Sequence, residues 1–165
     1  MKKDGGETFM SNEHEVLLDN EKQNEPEIKV ERREGEPTGA FKGAAWAALI
    51  VGVGAYFIGL FNANMELNEK GYYFAVLIFG LYSAVSLQKA VRDKDEGIPV
   101  TSIYYGISWV ALIVAILLMG IGLYNAGKIA LSEKGFYGMS FVLSLFAAIT
   151  VQKNIRDTQR ARERD

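Results

Sequence analysis

Residues 41–63 read FKGAAWAALIVGVGAYFIGLFNA and residues 104–126 read YYGISWVALIVAILLMGIGLYNA, identical at 11 of 23 positions at a constant offset of 63. After one inserted residue the likeness resumes at offset 64, where LNEKGYYF from Leu67 answers LSEKGFYG from Leu131 and QKAVRD from Gln88 answers QKNIRD from Gln152. A repeat of this length decides the architecture, because whatever one copy builds the other must build too.

Whole-chain composition conceals how the residues are distributed. The 165 residues are 49% apolar with a formal net charge of −2, values compatible with one soluble domain. Charge and apolarity are, however, segregated along the chain. Residues 1–40 hold 11 Asp/Glu and 6 Lys/Arg, two of the three prolines and Phe9 as their sole aromatic. Such a stretch buries too little apolar surface to offset its ordering entropy, so a disordered acidic tail is expected there.

Four runs beyond it lack Asp, Glu, Lys, Arg and His: Gly43 to Phe61, Tyr72 to Leu87, Ile103 to Ala126 and Gly135 to Val151. The first and third exceed the roughly 17–20 helical residues that cross a hydrocarbon core. The second and fourth are extended by Gln88 and Lys89, or Gln152 and Lys153, whose polar ends can snorkel to the interface. A soluble four-helix bundle would need a polar face on each helix, and these runs have none. The expected fold is an all-α membrane protein of four transmembrane helices. They form two tandem hairpins related by a pseudo-two-fold axis along the membrane normal. The expected domains are a tail over 1–40, a two-helix repeat over 41–93, a linker over 94–102, a second repeat over 103–157 and a charged tail over 158–165.

Local chemistry agrees with this division. Thr38, Asn68, Thr101 or Ser102, and Ser132 stand where N-caps are needed, with Glu69 and Glu133 complementing helix dipoles. Trp46, Trp109, Tyr72, Tyr73, Phe136 and Tyr137 lie near the ends of the runs, as interfacial aromatics do. Thirteen Lys/Arg flank the termini and the central linker, against three at the two hairpin tips. By the positive-inside rule both termini and the linker should be cytoplasmic. The first 40 residues have no apolar stretch resembling a cleavable secretory signal, so the first span is expected to direct insertion.

The doubled pattern GL[FY]NA, L[NS]EKG[FY]Y and QK..RD, with the linker EGIPVTSIYYG from Glu96, resembles the YiaA/YiaB family of small bacterial inner-membrane proteins, in the form that carries two copies of the two-helix domain. The resemblance covers roughly residues 41–157. It implies an integral protein of the bacterial plasma membrane and carries no active-site residues onto this chain.

Candidate sites are few. Small residues at helical spacing, among them Gly52, Gly59, Gly80, Ala84, Gly122, Ser144 and Ala148, suit close helix packing. That packing is expected within the chain, with a dimerisation face as the alternative. Asn62, Glu69 and Lys70, with Asn125, Glu133 and Lys134, form equivalent polar clusters at the hairpin tips. Turn chemistry accounts for most of these residues, and an ion, headgroup or protein site is the rival reading. Lys89, Arg92, Lys153 and Arg156 are placed to contact lipid headgroups. His14 is too isolated to be a ligand, and the lack of cysteine excludes thiol chemistry.

No ionisable group stands inside the apolar runs, and no nucleophile–base pair, metal-ligand cluster or phosphate loop is present in the sequence. A membrane serine such as Ser83 or Ser86 is expected to bond a backbone carbonyl. The expected function is non-enzymatic and needs no cofactor: a scaffold or interaction protein associating with lipid, with itself or with another inner-membrane protein, and not with nucleic acid. The alternative is a small oligomeric transporter or channel with an uncharged polar pathway.

Overall fold

The computed structural model describes residues 35–163. Of the disordered tail expected over 1–40, residues up to 34, His14 among them, lie outside the described residues, and its last residues hold the Thr38 cap and the start of the first helix. Four helices follow: α1 (Gly39–Asn62), α2 (Leu67–Asp95), α3 (Ser102–Asn125) and α4 (Leu131–Glu163). All four are long and apolar enough to cross a membrane, and no strand is found among the described residues. Helices suit lipid because they satisfy their backbone polar groups internally.

The helices start where local acceptors are available. Phe41 N–H donates to Thr38 Oγ1 (3.0 Å) and Tyr104 N–H donates to Thr101 Oγ1 (3.3 Å), so both threonines act as caps. Asn68 and Ser132 do not. The backbone N–H of Glu66 donates to the Glu69 carboxylate (2.8 Å) and that of Ala130 to Glu133 (2.7 Å). A carboxylate three residues into the helix reaches back to the N–H ahead of it, which starts α2 and α4 at Leu67 and Leu131. Asn68 and Ser132 then fall inside the first turn.

Both second helices outrun their apolar segments. α2 continues eight residues past Leu87 and α4 twelve past Val151, about 12 and 18 Å at the helical rise. The repeats diverge at this point. α2 closes at Gly97, whose φ of +72° requires glycine, with Ile98 N–H donating to Asp93 O (2.8 Å). The position 64 residues on is Ala161, and the helix continues through it.

Helix pairing crosses between the repeats. α1 packs mainly on α4 and α3 mainly on α2, whereas the consecutive helices of each hairpin touch only along a narrow strip. α2 and α4 also contact each other and form the centre. Within the most apolar window 39% and 44% of α2 and α4 are buried, against 22% and 17% of α1 and α3, so the outer pair presents most of its surface to lipid.

Small residues permit this crossing. A Cβ built on Gly59 meets the Phe136 and Tyr137 rings at 3.0 and 3.2 Å, and one on Gly122 meets Tyr72 and Tyr73 at 2.6 and 3.3 Å. These are the same contact in both repeats. Gly52 lies over Ser144, whose backbone nitrogen is 3.0 Å from its notional Cβ, and Gly80 lies over Phe141 and Leu145. Ala84 is buried in the core cluster, and Ala148 is partly buried.

Aromatic side chains fill the centre. Tyr56, Tyr73, Tyr137, Leu77, Phe141 and Met119 are all 3% exposed or less. The Tyr73 and Tyr137 rings stack at 6.0 Å, and Tyr56 meets Tyr137 edge to face at 5.7 Å. The Tyr56 hydroxyl donates to Tyr73 O (2.9 Å) and lies 3.8 Å from Met119 Sδ, so its polar end is satisfied in the apolar interior. Ser83 donates to Phe79 O (2.7 Å), as expected of a membrane serine. Ser86 differs: its hydroxyl shares hydrogen bonds with Tyr104 Oη (2.9 Å) and Ser108 Oγ (3.5 Å), joining α2 to α3.

Gly59→Leu and Gly122→Leu should each lower stability by about 1–3 kcal/mol or more, because a branched side chain must displace packed tyrosines. Gly120→Leu should not, since nothing lies within 4 Å of a Cβ there. Thermal unfolding in detergent separates the three. If all melt alike, the glycine contacts do not hold the bundle.

Candidate functional site

Polar residues gather at the two ends of the bundle, and at the hairpin tips they chiefly terminate helices. Asn62 Nδ2 donates to Ile58 O (2.7 Å) and Asn125 Nδ2 to Ile121 O (3.0 Å). Lys70 Nζ donates to Phe61 O (3.0 Å) and Lys134 Nζ to Tyr124 O (3.5 Å). Glu69, Glu133, Lys70 and Lys134 thus serve backbone groups left open by helix ends, and the two asparagines add a second donor to carbonyls one turn back.

The tips nonetheless enclose two equivalent clefts, each shared between repeats. One, of 280 Å³, is lined by Gly59, Asn62, Ser132, Glu133 and Tyr137. The other, of 370 Å³, is lined by their counterparts Gly122, Asn125, Asn68, Glu69 and Tyr73. Asn62 therefore shares a cleft with Glu133 and Asn125 with Glu69, a grouping that the crossed helix pairing produces. Lys128 pairs with Glu66 (3.2 Å) to join the tips, with both side chains largely exposed.

The opposite end carries the chain's denser charge. Glu96, which caps α2, is ion-paired with three guanidiniums: Arg92 (3.5 Å) from its own helix, and Arg160 and Arg156 from α4, of which Arg156 donates a hydrogen bond to it (2.5 Å). Asp93, beyond the apolar run, accepts from Lys89 (2.7 Å) and Arg92 (3.1 Å). The Lys89 hydrogen bond, with Arg92 in support, holds the Asp93 carboxyl below the usual carboxylate range against the opposing effect of burial. Of the four basic residues singled out above, Lys89, Arg92 and Arg156 are thus engaged within the protein. Lys153 is exposed and faces a cavity.

That cavity is the largest concave feature described at this end, at 610 Å³. Its lining combines apolar Leu87, Val91, Trp109 and Ile149 with polar Gln88, Asp95, Lys153, Asp157 and Arg160. Gln88 Oε1 is buried without a hydrogen-bond donor. The sequence marks Lys153 as a headgroup contact and Trp109 as an interfacial aromatic, but gives no such role to Asp157 or Arg160. The cavity forms where α2, α3 and α4 converge, which no spacing along the chain encodes.

Glu96→Gln should lower stability by about 1–3 kcal/mol, the scale of charge-assisted hydrogen bonds on partly buried groups. Glu66→Gln should have almost no effect, because an exposed pair contributes little. Unfolding of both variants at low and high salt tests the contrast, and equal behaviour would remove Glu96 from its bridging role.

The yiaA/B two helix domain model matches the chain twice, over residues 41–93 and 104–157. Inner membrane protein YiaA of Escherichia coli (strain K12) is 59% identical over 118 residues, 72% of this chain and 81% of that protein. The Uncharacterized membrane protein YubF of Bacillus subtilis (strain 168) is 48% identical over 60 residues, 36% of this chain and 69% of its own length. No solved structure matches. Two matched copies over four membrane-spanning helices, with high identity to an inner-membrane relative, make this chain a multi-pass inner-membrane protein of the YiaA/B two-helix-domain family.

Proposed function

We propose that the protein is a non-enzymatic scaffold of the inner membrane, acting through the lipids or proteins that its outer helices and charged end contact. The observation supporting this is a closed aromatic layer just inside the tips, backed toward the middle by Leu77 and Phe141. Tyr56, Tyr73, Tyr137, Leu77, Phe141 and Met119 fill the space between the tip clefts and the opposite cavity. A solute pathway needs available polar or ionisable groups, and here the tyrosine hydroxyls are joined by buried serines such as Ser83, Ser140 and Ser144, which donate to carbonyls of their own helices. α1 and α3 leave large apolar faces for lipid, a second copy or another membrane protein.

The alternative reading is an oligomeric transporter, for which the clefts and cavity on either side of the tyrosine layer would be the two vestibules. Purified protein in sealed vesicles distinguishes the readings. Ion and small-solute flux should equal that of protein-free vesicles, and saturable flux abolished by Tyr56→Trp would establish transport instead.

The termini and the 96–101 linker belong in the cytoplasm on this reading, given the distribution of Lys and Arg. The repeated contacts of Gly59 and Gly122 support a pseudo-two-fold axis along the membrane normal, with both hairpins pointing the same way. Single cysteines replacing Asn64 and Arg162 report the orientation in intact cells. An impermeant thiol reagent should label position 64 and leave 162 unlabelled. The reverse pattern would invert the protein.

A further inference from the structure

The cavity at the terminal end combines features of an amphipathic ligand site. Its apolar lining continues the membrane-spanning part of α2 and α4, and its charged lining lies where those helices emerge. Lys153, Asp157 and Arg160 recur at intervals of four and three on α4, placing them along one face. Gln88 and Asp95, seven apart, do the same on α2. Trp109 of α3 lines the cavity at a level suited to the membrane interface.

The charges select among headgroups. Arg92 is consumed by Asp93 and Glu96, and one nitrogen of Arg160 by Glu96. Lys153, Asp95 and Asp157 form no ion pair among the described residues, which leaves one free cation beside two free carboxylates. A purely anionic headgroup would face both carboxylates uncompensated. A zwitterion can answer both signs. Its cationic part gains most if it can also donate hydrogen bonds, because Asp95 and Asp157 are carboxylate acceptors with no cationic partner among the described residues. A primary ammonium has three N–H donors, and a quaternary ammonium has none.

We propose that this cavity binds one aminophospholipid with an ethanolamine-type headgroup, drawn from the leaflet at the terminal end. The phosphate lies between Lys153 and the outer donors of Arg160, which retains free N–H groups beyond its bond to Glu96. The ammonium lies between Asp157 and Asp95. The upper part of one acyl chain covers Leu87, Val91 and Ile149, in a volume typical of a lipid-sized or drug-sized pocket. This inference is independent of whether the protein is a scaffold or a transporter.

Tryptophan quenching tests it directly on the full chain. With Trp46→Phe, Trp109 is the sole tryptophan and reports from the cavity wall. The protein is reconstituted in phosphatidylcholine vesicles doped with chain-brominated phosphatidylethanolamine, phosphatidylcholine or phosphatidylglycerol. Brominated phosphatidylethanolamine should give a saturable component at a mole fraction about tenfold below the other two, the scale of one charge-assisted hydrogen bond. Asp157→Asn should abolish that preference, with Asp95→Asn as the second variant should the first fail to fold. Lys153→Gln should weaken phosphatidylethanolamine binding by removing its phosphate contact. Trp109→Phe, with Trp46 retained, should show no headgroup preference. Equal quenching by all three lipids, strongest quenching by phosphatidylglycerol, or an unchanged preference in Asp157→Asn would overturn the proposal.

Discussion

Everything in this bundle depends on the approach of a glycine in one repeat to a pair of aromatic rings in the other. Gly59 lies against Phe136 and Tyr137, and Gly122 against Tyr72 and Tyr73. In a bilayer there is no hydrophobic force between apolar helices, since lipid is as apolar as leucine, so association rests on close packing and satisfied polar groups. The glycines let α1 reach α4 and α3 reach α2 across the repeats. The rings they admit become the core, and the Tyr56 hydroxyl closes it on the Tyr73 carbonyl.

Crossed pairing brings several positions face to face with their own counterparts. Tyr73 stacks on Tyr137, Tyr56 touches Met119, and Glu96 pairs with Arg160, all at the offsets of 63 or 64 that define the repeat. Two identical two-helix chains would have to place like against like at these positions. Duplication within one chain lets the members differ: a hydroxyl donor meets a thioether, and a carboxylate meets a guanidinium. The Glu96–Arg160 pair is the clearest case, because two glutamates there would repel and two arginines would have no shared acceptor.

The same geometry divides the molecule by depth. Tyrosine, phenylalanine and leucine fill the interior beside serines bonded to their own helices, and the charged residues among those described are confined to the ends, where water and headgroups can solvate them. At the tips these residues mainly complete helix termini. At the other end the longer α2 and α4 project beyond the apolar run and, with α3, form a cavity lined by both apolar and charged residues.

Four helices, their membrane character and their duplication were legible from the sequence, because each follows from local or periodic properties: uncharged runs of sufficient length, aromatic ends and a constant offset. Thr38 and Thr101 were readable as caps for the same reason. The caps at Asn68 and Ser132 were misassigned, because an N-cap-type side chain competes with a glutamate that reaches back from the first turn, and residue identity alone does not decide that competition. Only the tertiary structure decided that α1 belongs with α4, that Asn62 shares a cleft with Glu133, and that Lys153, Asp157 and Gln88 line one cavity. Helix pairing in lipid is set by which surfaces interlock most closely, and that complementarity is a property of two helices together, absent from either one's sequence taken alone.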